Sequence, residues 1–148
     1  MKMALFFPEL FLLLSCLVIF LLTLGKTGSS TVRNITAALS VLAFLICAGS
    51  LRLEGELFFK AYRIDLFSQF FKLAITGGIA LLLLFSRELK GIDEEIRTEY
   101  YLFLLLSGLG LVMLVSSVEL LSIFIALELS SYALYLLVPM RDDHGGLR

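Results

Sequence analysis

Long apolar runs alternate with short polar breaks along this chain. The first run covers residues 5–24 and is closed by Gly25-Lys26-Thr27-Gly28-Ser29-Ser30; the second covers 35–51 and the third 66–85. A charged loop from Arg87 to Glu99 follows. From Tyr100 to Met140 the sequence is almost continuously apolar. That is about twice the roughly 20 residues one bilayer-crossing helix needs. The natural break is Ser116-Ser117-Val118-Glu119, whose S-x-x-E spacing is that of a capping box starting a new helix. The pattern therefore predicts a fourth span at 100–115 and a fifth at 118–138. The expected fold class is an all-α integral membrane protein with five transmembrane helices and no room for a soluble domain.

Local signals mark the helix ends. Pro8 and Glu9 suit the first turn of span one, and Asp65 is placed to cap span three. The small-xxx-small pair Ala74 and Gly78, with Gly108 and Gly110, predicts close helix packing. The loop 87–99 is acidic and is expected to hold a short interfacial helix. No signal-peptide cleavage is expected, because the first apolar run is too long and no A-x-A site follows it. Gly25-Lys26-Thr27 mimics the end of a phosphate-binding loop, but Phe20 stands where the motif needs Gly, so nucleotide binding is rejected.

Composition agrees with a lipid solvent. Hydrophobic residues make up 59% and charged residues 17%, with a mean hydropathy of +0.99. A net charge of −1 offers nothing to attract nucleic acid. Cys16 and Cys47 lie inside apolar runs and read as small apolar fillers; a single His and no CxxC pair give no metal site. If the N-terminus is outside, the inner segments hold seven basic residues (Lys26, Arg33, Arg87, Lys90, Arg97, Arg141, Arg148) and the outer ones four (Lys2, Arg52, Lys60, Arg63). That bias predicts the N-terminus outside and the C-terminus in the cytoplasm.

Ionisable groups within the spans are the candidates for chemistry, because each is costly in lipid. Glu128 is the eleventh residue of the fifth apolar run, roughly 15 Å along a helix. That places it near the bilayer midplane. Ser131, Tyr132 and Tyr135 follow at helical spacing on its face, with Ser130 at the edge. Such a stripe can hold water and relay protons, or can simply bond a neighbouring helix. Glu119 reads as a helix-start residue. Lys72, some 10 Å into span three, either snorkels to the outer interface or pairs with an acid on another helix.

Specific strings carry a family resemblance. These are Asp65-Leu66-Phe67-Ser68-Gln69-Phe70-Phe71-Lys72, Leu84-Phe85-Ser86-Arg87, Glu99-Tyr100-Tyr101 and the run Leu120 to Tyr135 with Leu127-Glu128-Leu129-Ser130-Ser131 at its centre; Pro8-Glu9-Leu10 also fits. Together they resemble the N-type antiporter-like membrane subunit of respiratory complex I, including subunit 2 of the mitochondrial NADH dehydrogenase. Residues 25–62 match in hydropathy only. The related M- and L-type subunits carry Trp before this glutamate, whereas here Leu127 precedes it and there is no Trp.

The resemblance implies the N-terminal part of a larger bundle built from two inverted repeats of five helices. It implies that Glu128 pairs with a lysine of a later helix and couples quinone reduction to proton movement; from their positions in the spans, Ser131, Tyr135 and Lys72 are the relay candidates. At about 4 Å and an effective dielectric near 20, such a pair attracts by about 4 kcal/mol, ample to govern a proton. The sequence ends at Arg148, before the helices that complete the family's bundle. The expectation is therefore a split subunit or an N-terminal fragment, with another chain supplying the missing helices and lysine. NAD, flavin, iron–sulfur clusters and quinone are expected in partner subunits, and none in this chain. The expected location is an energy-transducing membrane, the bacterial or archaeal cytoplasmic membrane. The alternatives are a related subunit of a membrane hydrogenase, another complex I-like dehydrogenase or a cation/proton antiporter, or a scaffold that moves no ions.

Overall fold

A computed structural model describes residues 2–86, 92–94 and 96–140. A one-turn helix α1 (Lys2–Leu5) leads into α2 (Phe7–Leu24), followed by α3 (Ser29–Ser50). A hairpin of β1 (Gly55–Leu57) and β2 (Tyr62–Ile64) precedes α4 (Leu66–Phe85). Next come α5 (Arg97–Leu114) and α6 (Leu120–Leu137), which ends in a 3-10 turn, Val138–Met140. The five long helices have 18 to 22 residues. At 1.5 Å per residue they measure about 27–33 Å, the depth of a bilayer's hydrocarbon core. Part of the acidic loop, residues 87–91 and 95, lies outside the described residues, so the interfacial helix expected there falls largely outside them too.

Polarity is distributed inside out. Leu13, Leu17, Leu21, Phe67, Phe70 and Leu81 are all more than half exposed on the outer surface. Ser15, Thr36, Ser40, Gln69, Lys72, Thr76 and Ser107 are buried. In water such an exterior would aggregate; against lipid or further helices it costs nothing. Several buried hydroxyls satisfy themselves locally. Thr36 donates to the Val32 carbonyl at 2.7 Å, and Ser15 and Thr76 donate to the carbonyls of Phe11 and Lys72 at 2.8 Å.

Helix ends follow side-chain chemistry. Asp65 Oδ1 accepts from Ser68 N at 2.8 Å and Ser68 Oγ accepts from Asp65 N at 3.0 Å, a reciprocal capping box. The box expected from Ser116 and Glu119 does not form. Glu119 is itself the N-cap residue of α6 and its side chain makes no capping bond. Ser116 is buried beneath the hairpin instead.

Helix α5 is central and packs against α2, α3, α4 and α6, whereas α6 rests mainly on α5 alone. The contact face of α6 is the small-residue row Ala126, Ser130, Ala133. A Cβ added at Gly110 would meet the Ser130 backbone nitrogen at 2.6 Å, so the two backbones approach as closely as glycine permits. Gly78 does not play this part: nothing lies within 4 Å of its added Cβ, and with Ala74 it lines a shallow groove between α4 and α5.

The hairpin ties one end of the bundle together. Gly55, Glu56 and Leu57 pair with Ile64, Arg63 and Tyr62. Its far edge extends to the α5–α6 junction, where Arg63 N donates to the Ser116 carbonyl at 2.7 Å and Val118 N to the Ala61 carbonyl at 2.9 Å. The turn uses three consecutive left-handed residues, Phe58, Phe59 and Lys60. Gln69 Nε2 donates to the Ser50 carbonyl at 2.9 Å and the Leu53 carbonyl at 3.3 Å, occupying acceptors at the end of α3. The starts of α2, α4 and α6 therefore lie with the ends of α3 and α5 under one cover.

Candidate functional site

Two sets of ionisable side chains stand within the helices, and the tertiary structure treats them differently. The first centres on Lys72, which is fully buried. Its Nζ lies 2.5 Å from Oε1 of Glu9, and that oxygen also accepts a hydrogen bond from the Tyr62 hydroxyl at 2.6 Å. The geometry follows from the chain. Helices α2 and α4 both begin under the hairpin, and helical side chains lean toward their own N-terminus. The long stem of Lys72 thus runs back toward the first turn of α2, where Glu9 sits. Strand β2 delivers Tyr62 from above, with its ring edge-on to Phe6 and Phe58 and 5.3 Å from Lys72 Nζ.

Two readings are corrected here. Of the two readings of Lys72, snorkelling fails and pairing holds, because its ammonium meets the Glu9 carboxylate inside the bundle. Glu9 is more than a helix-end residue. It occupies the first turn of α2, where the helix dipole favours an anion, yet its carboxylate is spent on Lys72 and Tyr62. A sequence signal for the pair did exist: one acid early in one span and one lysine early in a parallel span. Tyr62 gave no such signal, since only the hairpin brings it over the pair. Burial, reinforced by the negative charge of Glu9, raises the Tyr62 pKa well above the ordinary tyrosine value.

The second set is the stripe on α6. Glu128 is the ninth of its 18 residues, half-way along the helix. It lies two positions, about 200° around the helix, from Ala126 on the packed face. Glu128 and Ser131 are part-exposed and Tyr132 and Tyr135 mostly exposed. The rings of Tyr132 and Tyr135 meet edge-on at 6.5 Å. Among the described residues, no hydrogen bond or ion pair is made by the Glu128 carboxyl. Ser130 turns the other way, into the α5 contact at Gly110. The stripe thus occupies the side of α6 that the other four long helices leave open. Lys72 is joined to Glu9 and not to Glu128, so the two sets are separate. Cys16 and Cys47 are buried and free.

Known proteins resemble the whole described bundle. No protein-family profile matches the chain. Curated relatives do. The chain is 41% identical over 143 residues to NADH-quinone oxidoreductase subunit N 2 of Opitutus terrae, a match covering 97% of this chain and 30% of the relative. Subunit N 2 of Syntrophobacter fumaroxidans is 40% identical over 95% of the chain and 30% of its own length. That of Solidesulfovibrio magneticus is 38% identical over 92% and 29%. The chain spans about 30% of the length of these relatives. It is homologous to subunit N of NADH-quinone oxidoreductase, over a stretch consistent with the N-terminal portion of that membrane subunit.

Proposed function

We propose that this chain serves as part of the proton-translocating membrane arm of an NADH:quinone oxidoreductase, with Glu128 as its proton-carrying group. One observation carries the reading. Glu128 stands half-way along a membrane-length helix, in one row with Ser131, Tyr132 and Tyr135, on the side of α6 left uncovered by α2–α5. A carboxyl in that position must be met by polar or charged groups from outside this stretch, because alone in hydrocarbon its charged form is heavily penalised. A lysine on a covering helix supplies the charge. With the lysine protonated and near, Glu128 holds its negative charge; when that charge withdraws, Glu128 takes a proton. Ser131 and Tyr135 line the row along which water connects it.

In this reading the electron chemistry of NAD, flavin, iron–sulfur clusters and quinone belongs to partner subunits. The hairpin end faces outward, in keeping with the greater number of basic residues expected on the inner side. The test is Glu128→Gln in the assembled complex, reconstituted into vesicles, with proton-to-electron stoichiometry measured. The ratio falls if Glu128 carries protons, and Glu128→Asp is milder. An unchanged ratio in Glu128→Gln removes Glu128 from proton transfer.

A further inference from the structure

The buried cluster under the hairpin holds polar atoms that its protein neighbours leave unpaired. Among the described residues Glu9 Oε2 and Gln69 Oε1 are buried with no hydrogen-bond partner, and Lys72 Nζ has only the Glu9 ion pair and the Tyr62 ring beside it. Each orphaned buried group would cost about 1–3 kcal/mol, so these atoms call for a further polar partner. Such residues, set in the protein interior, match the surroundings of an internal water, which needs two to four polar partners. The cluster also connects two regions. Tyr62 in the hairpin and Ser116 at the α5–α6 junction lie one and two residues from a surface depression lined by Lys60, Ala61, Val118 and Glu119. On the inner side, Thr76, one turn deeper in α4, donates to the backbone carbonyl of Lys72 and lies beside Cys47 of α3.

We propose that Tyr62, Glu9 and Lys72 form a second proton-transfer site, separate from Glu128, that passes protons between the hairpin surface and the bundle interior. In the resting pair Lys72 is an ammonium and Glu9 a carboxylate. A hydronium ion at the hairpin end gives a proton to the Tyr62 oxygen, leaving water, as the phenolic proton moves to Glu9; the O–H bond broken on Tyr62 is replaced by the one formed. The pair now carries one extra positive charge. Lys72 releases a proton to water on its inner side, and the proton on Glu9 then crosses the 2.5 Å gap to the Lys72 nitrogen. The resting pair is restored and one proton has moved. Among the described residues, the titratable groups beside the pair are Tyr62 from β2 and Cys47 from α3.

This inference rests on the proton-translocation reading above, and the experiment separates the two. The assembled complex carrying the full chain is reconstituted into vesicles, and proton uptake is followed with a pH-sensitive dye. The double variant Glu9→Gln/Lys72→Met keeps the side-chain volumes and leaves no lone buried charge. Tyr62→Phe keeps the ring packing and removes only the hydroxyl. Both are expected to slow proton movement on the order of 100-fold, the contribution of a positioned acid–base group, while the complex still assembles. Tyr62→Phe at wild-type proton-transfer rate overturns the site, as does a double variant that pumps normally. A pumping wild type with a normal Glu128→Gln and a slow Tyr62→Phe supports this site while refuting the role of Glu128. A wild-type complex that moves no protons overturns both.

Discussion

Removing one member of the Glu9–Lys72 pair should be far more damaging than removing both. Both side chains are about 0–1% exposed, and Lys72 has no hydrogen bond beyond its carboxylate partner. In Lys72→Met the Glu9 carboxylate keeps only the Tyr62 hydroxyl, and in Glu9→Gln the ammonium keeps no anion at all. Breaking a buried pair in this way costs about 3–5 kcal/mol. For a chain of this length that is about 2–4 °C of melting temperature per kcal/mol, hence roughly 6–20 °C for either single variant. The double variant Glu9→Gln/Lys72→Met leaves no buried charge. Neutral replacements of similar volume are commonly near wild type or better. Thermal unfolding in detergent, followed by helical circular dichroism, reads all four members of the cycle. The expected coupling is at least about 3 kcal/mol, well above the scatter of independent sites. Two single variants that each cost under about 1 kcal/mol, with an additive double, would refute the placement of a charged pair inside the bundle.

Other expectations follow from the same contacts. Gly110→Ala forces a methyl against the Ser130 backbone, which cannot move aside as a side chain can, and should cost about 1–3 kcal/mol in the same melt. Gly78→Ala meets nothing and should be neutral or gain up to about 1 kcal/mol from helix propensity; equal effects at the two glycines would contradict the α5–α6 approach. Asp65→Ala removes one side of the capping box and should lower stability by about 1 kcal/mol, visible as a melt shift of a few degrees. Tyr62, raised in pKa by burial, keeps its proton in the folded chain when an unfolded tyrosine loses one near about pH 10. Its contribution to stability is therefore full below about pH 10 and declines as pH rises above that value. Tyr62→Phe should flatten this alkaline decline, and an unchanged slope would argue against a buried phenol.

Length and periodicity in the sequence were enough to determine five membrane-length helices, but not the β1–β2 hairpin that covers one end. A backbone in lipid must satisfy its own hydrogen bonds, so an apolar run near 20 residues has few other outcomes. Asp65 announced its cap because a capping box depends on residues three apart. The Leu127-to-Ser131 string announced the relatives, since the resemblance lies in local order. Ser116 and Glu119 carried the same local spacing as a box yet formed none, because the hairpin edge claimed the backbone between them.

The partnership of Glu9, Tyr62 and Lys72 was decided by tertiary structure alone. Those residues are separated by up to 63 positions, and no spacing rule relates a helix start, a strand and a second helix. Only the parallel start of α2 and α4 under one hairpin makes them neighbours. The orientation of the Glu128 row was settled in the same way. Helical periodicity groups Glu128, Ser131 and Tyr135 on one face, but which face meets α5 depends on where two backbones can come closest. Gly110 fixes that point against Ser130, and by doing so turns the carboxyl row to the open side.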